Sequence, residues 1–313
     1  MDFENFILTS TGDKFILKNN ILESKAGETI QILNKIPRFA PGDNYTSAFG
    51  RQWKIYSDVQ LDSKNGTTIS EDRVKTALGQ PLDSIRGLKI IEAGSGAGRF
   101  TEILLKYGAK VYSFDLSAAV DANFENNSGH SNLTIFQADI EKIPFEDNFF
   151  DISLCLGVLQ HTKDTMKSLK ELSRVTKKNG MILFDHYQKH PGQYLSLYLV
   201  YWFIIKKLPA SKQHKVTKSL TKIFFPIHWF FRKYEFMQIL LRGISPISFY
   251  YGIFDLTKRQ HFAISLLDTH DKNTDHFKRM ITKKKLCKIM NKFTFKSFKI
   301  FKGGTGLQCI IIK

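Results

Sequence analysis

Between residues 88 and 187, short apolar runs alternate with segments whose apolar residues recur every three or four positions. Apolar runs of this length are typical of strands buried in a parallel sheet, and the three-to-four spacing is typical of helices packed on it. Strands joined by helical spacers form right-handed β-α-β units, which predicts an α/β domain. The strands are predicted at 88–93, 110–117, 132–139, 149–157 and 181–187, and the helices at 98–108, near 118–126 and at 165–180, with Gly180 as the last helix's C-terminal cap.

The two flanks of this region have different patterns. Residues 3–35 contain short alternating apolar segments between polar turns, which predict a small β-rich head. Residues 36–70 are predicted to form an ordered loop, with a helix after Ser70. From 187 to 276 the alternation stops, and aromatic and basic residues predict a helical insert. A helix near 280–291 and two strands joined at Gly303–Gly304 complete the α/β pattern.

Charge divides the chain unevenly. The 313 residues carry a net charge of +17, yet residues 1–186 hold 22 Lys and Arg against 24 Asp and Glu, whereas the remainder holds 24 against 5. A cationic second part suggests a polyanionic partner, such as an anionic membrane face, a nucleic acid or a phosphorylated substrate. The alternative is a lysine-rich solvated surface.

Cysteine usage and hydropathy bear on the cell compartment. The three cysteines are far apart and fit no C-x-x-C pattern, so we expect reduced thiols, no metal site and a cytoplasmic protein, with Cys155 buried in a strand. The segment MDFENF does not follow the basic-then-apolar pattern of a leader. The longest apolar stretch, 194–205, is shorter than the roughly 20 residues that a membrane-spanning helix needs.

The stretch IIEAGSGAGRF at 90–100 is a candidate nucleotide-binding turn. A dinucleotide fingerprint requires G-x-G-x-x-G after a strand, but here the third glycine comes one residue early and Arg99 follows it. The strand also ends in Glu92. A carboxylate would repel a pyrophosphate and attract the ammonium of an amino-acid moiety, which argues against a dinucleotide.

Other candidate ligand-binding residues lie where predicted strands end, and the carboxyl ends of parallel strands form the ligand-binding edge of such sheets. These residues are Asp115 after the second strand, Asp139 and Ile140 after the third, Leu156 to His161 after the fourth, and Asp185 and His186 at the end of the fifth.

IIEAGSGAGRFT resembles the first motif of class I S-adenosylmethionine (SAM)-dependent methyltransferases, E/D-x-G-x-G-x-G. The resemblance continues through FDLS, ADIEKIPFEDNFFDISLCLGVLQHTKD and NGMILF, with the spacing of the type 11, ubiquinone-methylase-like branch. It covers roughly 85–186 and the last two strands. It implies a Rossmann-like seven-stranded sheet whose last strand is antiparallel, and SAM as the cofactor.

The resemblance also implies roles for individual residues. Glu92 would hold the methionine amino group; Gly94, Ser95 and Gly96 would pass under the methionine moiety; Asp115 would bind the ribose hydroxyls; Leu116 and Ile140 would lie against adenine; Asp139 would accept from the adenine amino group; and Leu156 would line the sulfonium end.

Proton removal from an acceptor is less clearly implied. Relatives usually have two histidines after the fourth strand, whereas this chain has Gln160–His161. His161 is therefore the candidate base, with Gln160 and His186 as further catalytic candidates. The alternative is that His161 only lines the pocket.

The N-terminal part is similar to bacterial methyltransferases that are headed by a small zinc-ribbon-like module. Their cysteine pairs bind zinc, but residues 1–154 here contain no cysteine, so we expect a metal-free head. The resemblance implies that Tyr45–Trp53 folds over the cofactor; the alternative is that its aromatic residues pack the head against the core. The predicted divisions are the head (1–40), a cofactor-covering loop and helix (41–84), the SAM-binding core (85–186), the insert (187–276), and the last helix with strands six and seven (277–313).

Together these observations predict a bacterial SAM-dependent methyltransferase that acts on a small-molecule, sugar or lipid-linked acceptor by in-line methyl transfer. The insert would form a lid with an acceptor site, or a contact of residues 187–313 with the inner face of an anionic membrane. An RNA methyltransferase is the alternative that charge suggests, but the chain lacks base-methylase signatures and a recognisable RNA module. A non-catalytic SAM-fold binding protein is the other alternative.

Overall fold

A computed structural model describes the chain as two compact units. One comprises 1–57, 70–188 and 279–313, and the other comprises 58–69 and 189–278. The residues whose structure is described are 3–8, 10–41, 50, 53, 56–189, 197–250, 252 and 256–313.

A seven-stranded sheet is the centre of the first unit. Its strand order is β10-β11-β9-β8-β5-β6-β7, and β11 is antiparallel to both of its neighbours, whereas β5 to β9 pair in parallel. The predicted seven-stranded sheet with an antiparallel last strand is therefore confirmed. The strands are β5 (Lys89–Ala93), β6 (Lys110–Asp115), β7 (Leu133–Gln137), β8 (Phe150–Cys155), β9 (Thr176–Tyr187), β10 (Ser297–Gly303) and β11 (Gly306–Ile312).

Helices cover this sheet, and successive residues of β5 alternate between two buried cores. Ile90 packs in a cluster with Phe100 and Ile103, whereas Ile91 packs in a cluster with Leu169 and Leu172. Both faces of the sheet are thus buried, as the continuous apolar runs predict. The helices of this unit are α2 (Ile69–Leu78), α3 (Arg99–Lys106), α4 (Ala119–Asn127), α5 (Thr165–Val175) and α10 (Lys283–Met290), with 3-10 turns at Leu82–Ile85 and Leu159–His161.

The predicted helix at 165–180 is too long. Asp164 caps α5 by accepting from Met166 N and Lys167 N, but the helix ends at Val175, and Thr176 is already extended at the start of β9. The Thr176 hydroxyl donates to Leu172 O at 2.6 Å and lies 2.6 Å from the Ser153 hydroxyl, which fixes this change of direction. Gly180 is not a helix cap but lies within β9, where an added Cβ would come within 2.8 Å of Asp151 O.

The predicted β-rich head is a four-stranded antiparallel sheet in the order β1-β2-β3-β4. It is joined to the edge of the large sheet, because Phe39 N donates to Gln137 O of β7 at 2.8 Å. Phe6 packs its ring 5.1 Å from that of Phe136. The head thus covers an edge strand that would otherwise expose unpaired backbone groups. Its strands are β1 (Phe15–Lys18), β2 (Ile21–Ser24), β3 (Thr29–Leu33) and β4 (Ile36–Pro37).

The second unit is helical, and most of it lies between β9 and β10 in the chain, which confirms the predicted insert. A small core of Phe225, Ile247 and Phe249 lies within it. Within the described residues, no helix is both long and apolar enough to cross a membrane. Its helices are α1 (Asp62–Asn65), α6 (Tyr198–Ile205), α7 (Ala210–Phe230), α8 (Glu235–Ile244) and α9 (Lys258–Thr274).

Candidate active site

The turn after β5 is held against the end of β6 by its own backbone. Gly94 N and Ser95 N both donate to Phe114 O, at 2.8 and 3.0 Å, and Gly96 N donates to Asp115 Oδ2 at 3.0 Å. Gly94 has φ +73°, and a Cβ there would overlap the Val158 side chain. The glycine is thus required both by the backbone conformation and by the close approach of a neighbouring loop.

Glu92 is a buried carboxylate directly beside this turn. Its Oε2 accepts from the hydroxyls of Thr101 and Ser113, the latter at 2.9 Å, whereas no described residue donates to its Oε1. Burial outweighs these hydrogen bonds and the nearby Arg99 charge, and it raises the pKa of Glu92 to about 7. A buried carboxylate oxygen without a donor is costly, so this site is suited to a cationic group that supplies one.

Asparagines of α4 extend the polar network around Glu92, and the sequence analysis missed them. Asn123 Nδ2 donates to the hydroxyls of Thr101 and Ser113, at 3.0 and 2.9 Å. Asn127 Nδ2 donates to Asn123 Oδ1 at 2.9 Å and to Gly98 O at 3.2 Å. The signal in the sequence was NFENN at 123–127, where polar residues occupy buried positions of a helix.

Asp115 lies where β6 ends, as predicted, and its carboxylate accepts a hydrogen bond from the glycine turn. Oδ2 accepts from Gly96 N, and Oδ1 accepts from Ser117 N at 2.8 Å and Ser117 Oγ at 2.7 Å. Burial is the main reason that the pKa of Asp115 is raised. The neighbouring Leu116 O accepts from Gln137 Nε2 at 2.9 Å, so hydrogen bonds hold the first two residues of the loop that follows β6.

The remaining predicted cofactor-binding residues also follow the parallel strands. Asp139 comes two residues after β7 ends, and its Oδ1 accepts from Glu141 N at 2.9 Å. Ile140 and Leu156 are both buried, and Leu156 directly follows β8. These side chains thus occupy the same edge of the sheet as Glu92 and Asp115.

The three catalytic candidates have different surroundings. Gln160 is fully buried, and among the described residues neither its amide oxygen nor its amide nitrogen has a hydrogen-bond partner. His161 is half-buried, with its ring edge-on to Tyr187 at 5.4 Å. His186 is buried, and burial lowers its pKa to about 4, which keeps its imidazole neutral at pH 7.

Asp185 anchors the loop that follows β8. Its Oδ1 accepts from Gly157 N at 2.5 Å, and its Oδ2 accepts from Arg73 Nη2 at 2.5 Å and Thr305 N at 3.1 Å. The carboxylate therefore holds three distant segments together. Arg73 was not singled out from the sequence, because a pair 112 residues apart leaves no local pattern.

Most of the segment Tyr45–Trp53, which was expected to cover the cofactor, lies outside the described residues. Of its last residues, Gly50 and Trp53 are described. A Cβ on Gly96 would lie 2.9 Å from Trp53 Cε2, so the indole packs directly on the glycine turn. Among the described residues, no group of three or more His, Cys, Asp and Glu side chains could hold a metal ion.

Residues 91–184 match a family model described as methyltransferase domain. The ubiquinone biosynthesis O-methyltransferase of Coxiella burnetii (strain RSA 493 / Nine Mile phase I) is 27% identical over 130 residues, which are 41% of this chain and 56% of that protein. An uncharacterized methyltransferase, YcgJ of Bacillus subtilis (strain 168), is 30% identical over 103 residues, which are 32% of this chain and 41% of that protein.

The chain thus spans about half the length of the curated relatives it matches. Among solved structures, a SAM-dependent methyltransferase from Aquifex aeolicus aligns with a TM-score of 0.45 and 15% identity, over 84% of this chain and 97% of that one.

Proposed function

We propose, from the match of residues 91–184 to a family described as methyltransferase domain, that this region is a class I SAM-dependent domain and that the protein transfers the methyl group of SAM to a small-molecule acceptor. The observation that carries the proposal is the pair of carboxylates on either side of the glycine turn, the buried Glu92 and the half-buried Asp115. SAM supplies an activated methyl group on a sulfonium, so the protein has to bind, align and exclude water.

The carboxylates of Glu92 and Asp115 fit the two polar ends of this cofactor. Glu92 Oε1 lacks a donor among the described residues, and an ammonium would supply one and favour the ionised carboxylate. Asp115 Oδ1 already accepts from Ser117 N and Oγ, whereas Oδ2 accepts from Gly96 N and retains a lone pair with which to accept from a ribose hydroxyl. Gly94, Ser95 and Gly96 would pass under the methionine moiety, and Trp53 supports the proposal that an aromatic residue covers this turn.

The adenine and methyl ends are assigned to apolar residues after neighbouring strands. Leu116 and Ile140 would enclose the adenine, while Asp139 would accept from its amino group. Leu156 would line the sulfonium end. The burial of Ile140 after β7 and of Leu156 after β8 supports this assignment, because an apolar wall excludes water from the transferring group.

For an acceptor that must lose a proton, His161 is the proposed base. The low pKa of His186 keeps it a neutral hydrogen-bonding group, and the buried Gln160 amide could orient the acceptor or the base through a hydrogen bond. The insert (187–276) is the proposed source of acceptor specificity, and 41–84 the proposed cofactor cover.

The acceptor class follows from two different sources. The curated relatives named ubiquinone biosynthesis O-methyltransferases suggest a small-molecule acceptor. The aromatic and basic composition of the insert favours a sugar or lipid-linked intermediate within that class. A cytoplasmic location is consistent with reduced cysteines.

Calorimetric titration with S-adenosylhomocysteine tests the cofactor site. We expect Asp115→Ala to lower the affinity at least a hundredfold, because the variant removes the ribose acceptor and the carboxylate that orders the glycine turn. Asp83→Ala is the matched control, since Asp83 is exposed in the first unit and should leave the affinity unchanged. Wild-type affinity in a folded Asp115→Ala protein would refute the cofactor site, and cofactor binding without turnover of any acceptor would favour the non-catalytic alternative.

A further inference from the structure

The helix α8 has its apolar face turned outward. Phe236, Ile239, Leu240 and Ile244 recur with helical spacing and are all exposed, with exposed fractions of 70%, 60%, 49% and 51%. The buried residues of the same helix are the polar Gln238 and the apolar Leu241. An ordinary surface helix turns its apolar stripe to the core, whereas four large apolar side chains of α8 are exposed and one, Leu241, is buried.

Hydrogen bonds of the buried Gln238 hold α8 in this orientation. Gln238 Oε1 lies 2.9 Å from His228 Nδ1, and Gln238 Nε2 donates to His228 O at 3.0 Å. The His228 ring is itself buried and stacks on Phe249 at 4.9 Å. Rotating α8 to bury its apolar face would break both hydrogen bonds, so the outward apolar face belongs to this fold.

The preceding helix, α7, shows the same inversion. Its buried face carries Gln213, Thr217 and Thr221 in the first half. Its outward face carries lysines there and apolar residues in the second half, where Ile223, Ile227 and Phe230 are exposed. One helix thus presents a basic segment followed by an apolar segment to its surroundings.

The helix α6 continues the exposed apolar surface. Leu197, Val200, Phe203 and Ile204 are each about half exposed. Leu197 N donates to Gly243 O at 2.8 Å, which joins the beginning of α6 to the end of α8. Lys206 Nζ lies 3.5 Å from the ring centroid of the half-buried Trp202, and Lys207 Nζ lies 3.7 Å from that of the exposed Phe203, so cations flank both rings.

The charge of this segment indicates what covers it. Residues 197–244 contain nine Lys and Arg, and Glu235 is the single acidic residue among them. The basic residues are Lys206, Lys207, Lys212, Lys215, Lys218, Lys222, Arg232, Lys233 and Arg242. Exposed apolar and aromatic side chains among cations fit the boundary between phosphate headgroups and acyl chains, whereas a water-soluble partner would not require both.

We propose that α6, α7 and α8 form a membrane-contact surface that seats on an anionic phospholipid bilayer. The apolar side chains enter the headgroup and acyl boundary, and the lysines pair with lipid phosphates. The contact is interfacial, since no described helix can span a membrane. The proposal rests on this surface and not on methyl transfer.

Flotation of the full-length protein with vesicles tests the apolar contact. Wild type should bind phosphatidylcholine vesicles that contain phosphatidylglycerol, and the triple variant Phe236→Ser, Ile239→Ser and Ile244→Ser should have an at least hundredfold lower partition coefficient. The matched control is the triple variant Ile16→Ser, Leu17→Ser and Leu33→Ser. These residues lie in the head, and their exposed fractions of 53%, 52% and 56% are close to those of the α8 residues. Equal loss in both variants would overturn the assigned surface.

A second pair of variants tests the charge. Lys215→Glu, Lys218→Glu and Lys222→Glu together should weaken binding about a hundredfold, and 0.5 M salt should weaken wild-type binding. Exposed lysines of α10 serve as the control through Lys283→Glu, Lys284→Glu and Lys285→Glu, which should retain binding. Equal affinity for vesicles without phosphatidylglycerol would overturn the anionic preference. A protein that does not bind vesicles would overturn the proposal. If light scattering then shows a dimer, and the apolar variant is monomeric, a second copy of the chain covers α6, α7 and α8 instead.

Discussion

The glycine turn and the helical insert both bury polar groups, but with different consequences for the surrounding structure. Around the turn, Glu92, Thr101 and Asn123 form a polar network inside an otherwise apolar sheet domain, and one oxygen of that network lacks a donor among the described residues. In the insert, Gln238 bonds to His228 Nδ1 and O and thereby turns an apolar face outward, although His228 Nε2 has no partner among the described residues. The first network is the proposed site of a small polar ligand, and the second holds the proposed membrane-contact surface outward.

This contrast shows that helical periodicity by itself does not identify the buried face. In the sheet domain the apolar stripe of α5 is buried, with Leu169, Leu172 and Val175 in the core. In α8 Phe236, Ile239 and Ile244 recur with helical spacing, yet they are exposed, and Leu241 alone of its large apolar residues is buried. In α8, the hydrogen bonds of one buried glutamine to one histidine determine which face of the helix is buried.

The largest expected effect comes from Gly98→Ala, which attacks the network at the turn. Gly98 has φ +88°, and a Cβ there would overlap the buried amides of Asn123 and Asn127. Backbone strain and the broken hydrogen bonds should together lower the free energy of unfolding by about 4 kcal/mol, measured by urea denaturation.

Gly87→Ala is the control for Gly98→Ala. Gly87 has φ +76°, but nothing lies within 4 Å of its added Cβ, so only the strain of about 1 kcal/mol remains. Similar losses in the two variants would mean that the network around Asn123 contributes little and that the contrast with the insert is overstated.

The second effect concerns the ionisation of Glu92. Its pKa rises from 4.5 to about 7 on folding, so between these pH values the unfolded chain has released a proton that the folded chain keeps. Stability should therefore fall as pH rises through this window, by about 3 kcal/mol in total. Glu92→Gln lacks this dependence. Its free energy of unfolding relative to wild type, measured by urea denaturation, should therefore be higher at pH 7.5 than at pH 4.5.

Ligand binding should have the opposite pH dependence. Because an ammonium favours the ionised carboxylate, wild-type affinity for S-adenosylhomocysteine should rise up to and beyond pH 7, whereas Glu92→Gln should bind weakly at every pH. Glu146→Gln, an exposed residue of the same unit, is the control and should follow wild type in both measurements. A Glu92→Gln protein with the pH profile of wild type would contradict the assigned ionisation.

The sheet and part of its site were predictable because they depend on order along the chain. Buried runs located β5 to β8 to within two residues, and strand ends identified Asp115, which the structure joins to Gly96. The prediction failed at Thr176, where lysines and Gly180 imitate a helix end inside a strand. Charges and turn residues occur in both settings, so the local pattern was ambiguous.

What could not be predicted depends on contacts between distant residues. The pair Arg73–Asp185 and the bonds from Asn123 to Thr101 and Ser113 exist only after the chain has folded. In the insert, the apolar and basic composition was visible, but the outward orientation of α8 required the contact of Gln238 with His228. Polar side chains at buried helix positions were the common signal of both networks.

The smallest effect we predict separates the orientation of α8 from its composition. Gln238→Leu removes both hydrogen bonds and leaves buried polar atoms of His228 without them, which should cost about 2 kcal/mol locally. Hydrogen exchange of the amides in 235–244 should then be about thirtyfold less protected, while amides of β5 keep their protection. The exposed Gln31→Leu should change neither segment. Unchanged protection of α8 in Gln238→Leu would show that apolar packing alone orients the helix, and the comparison between the two networks would fail.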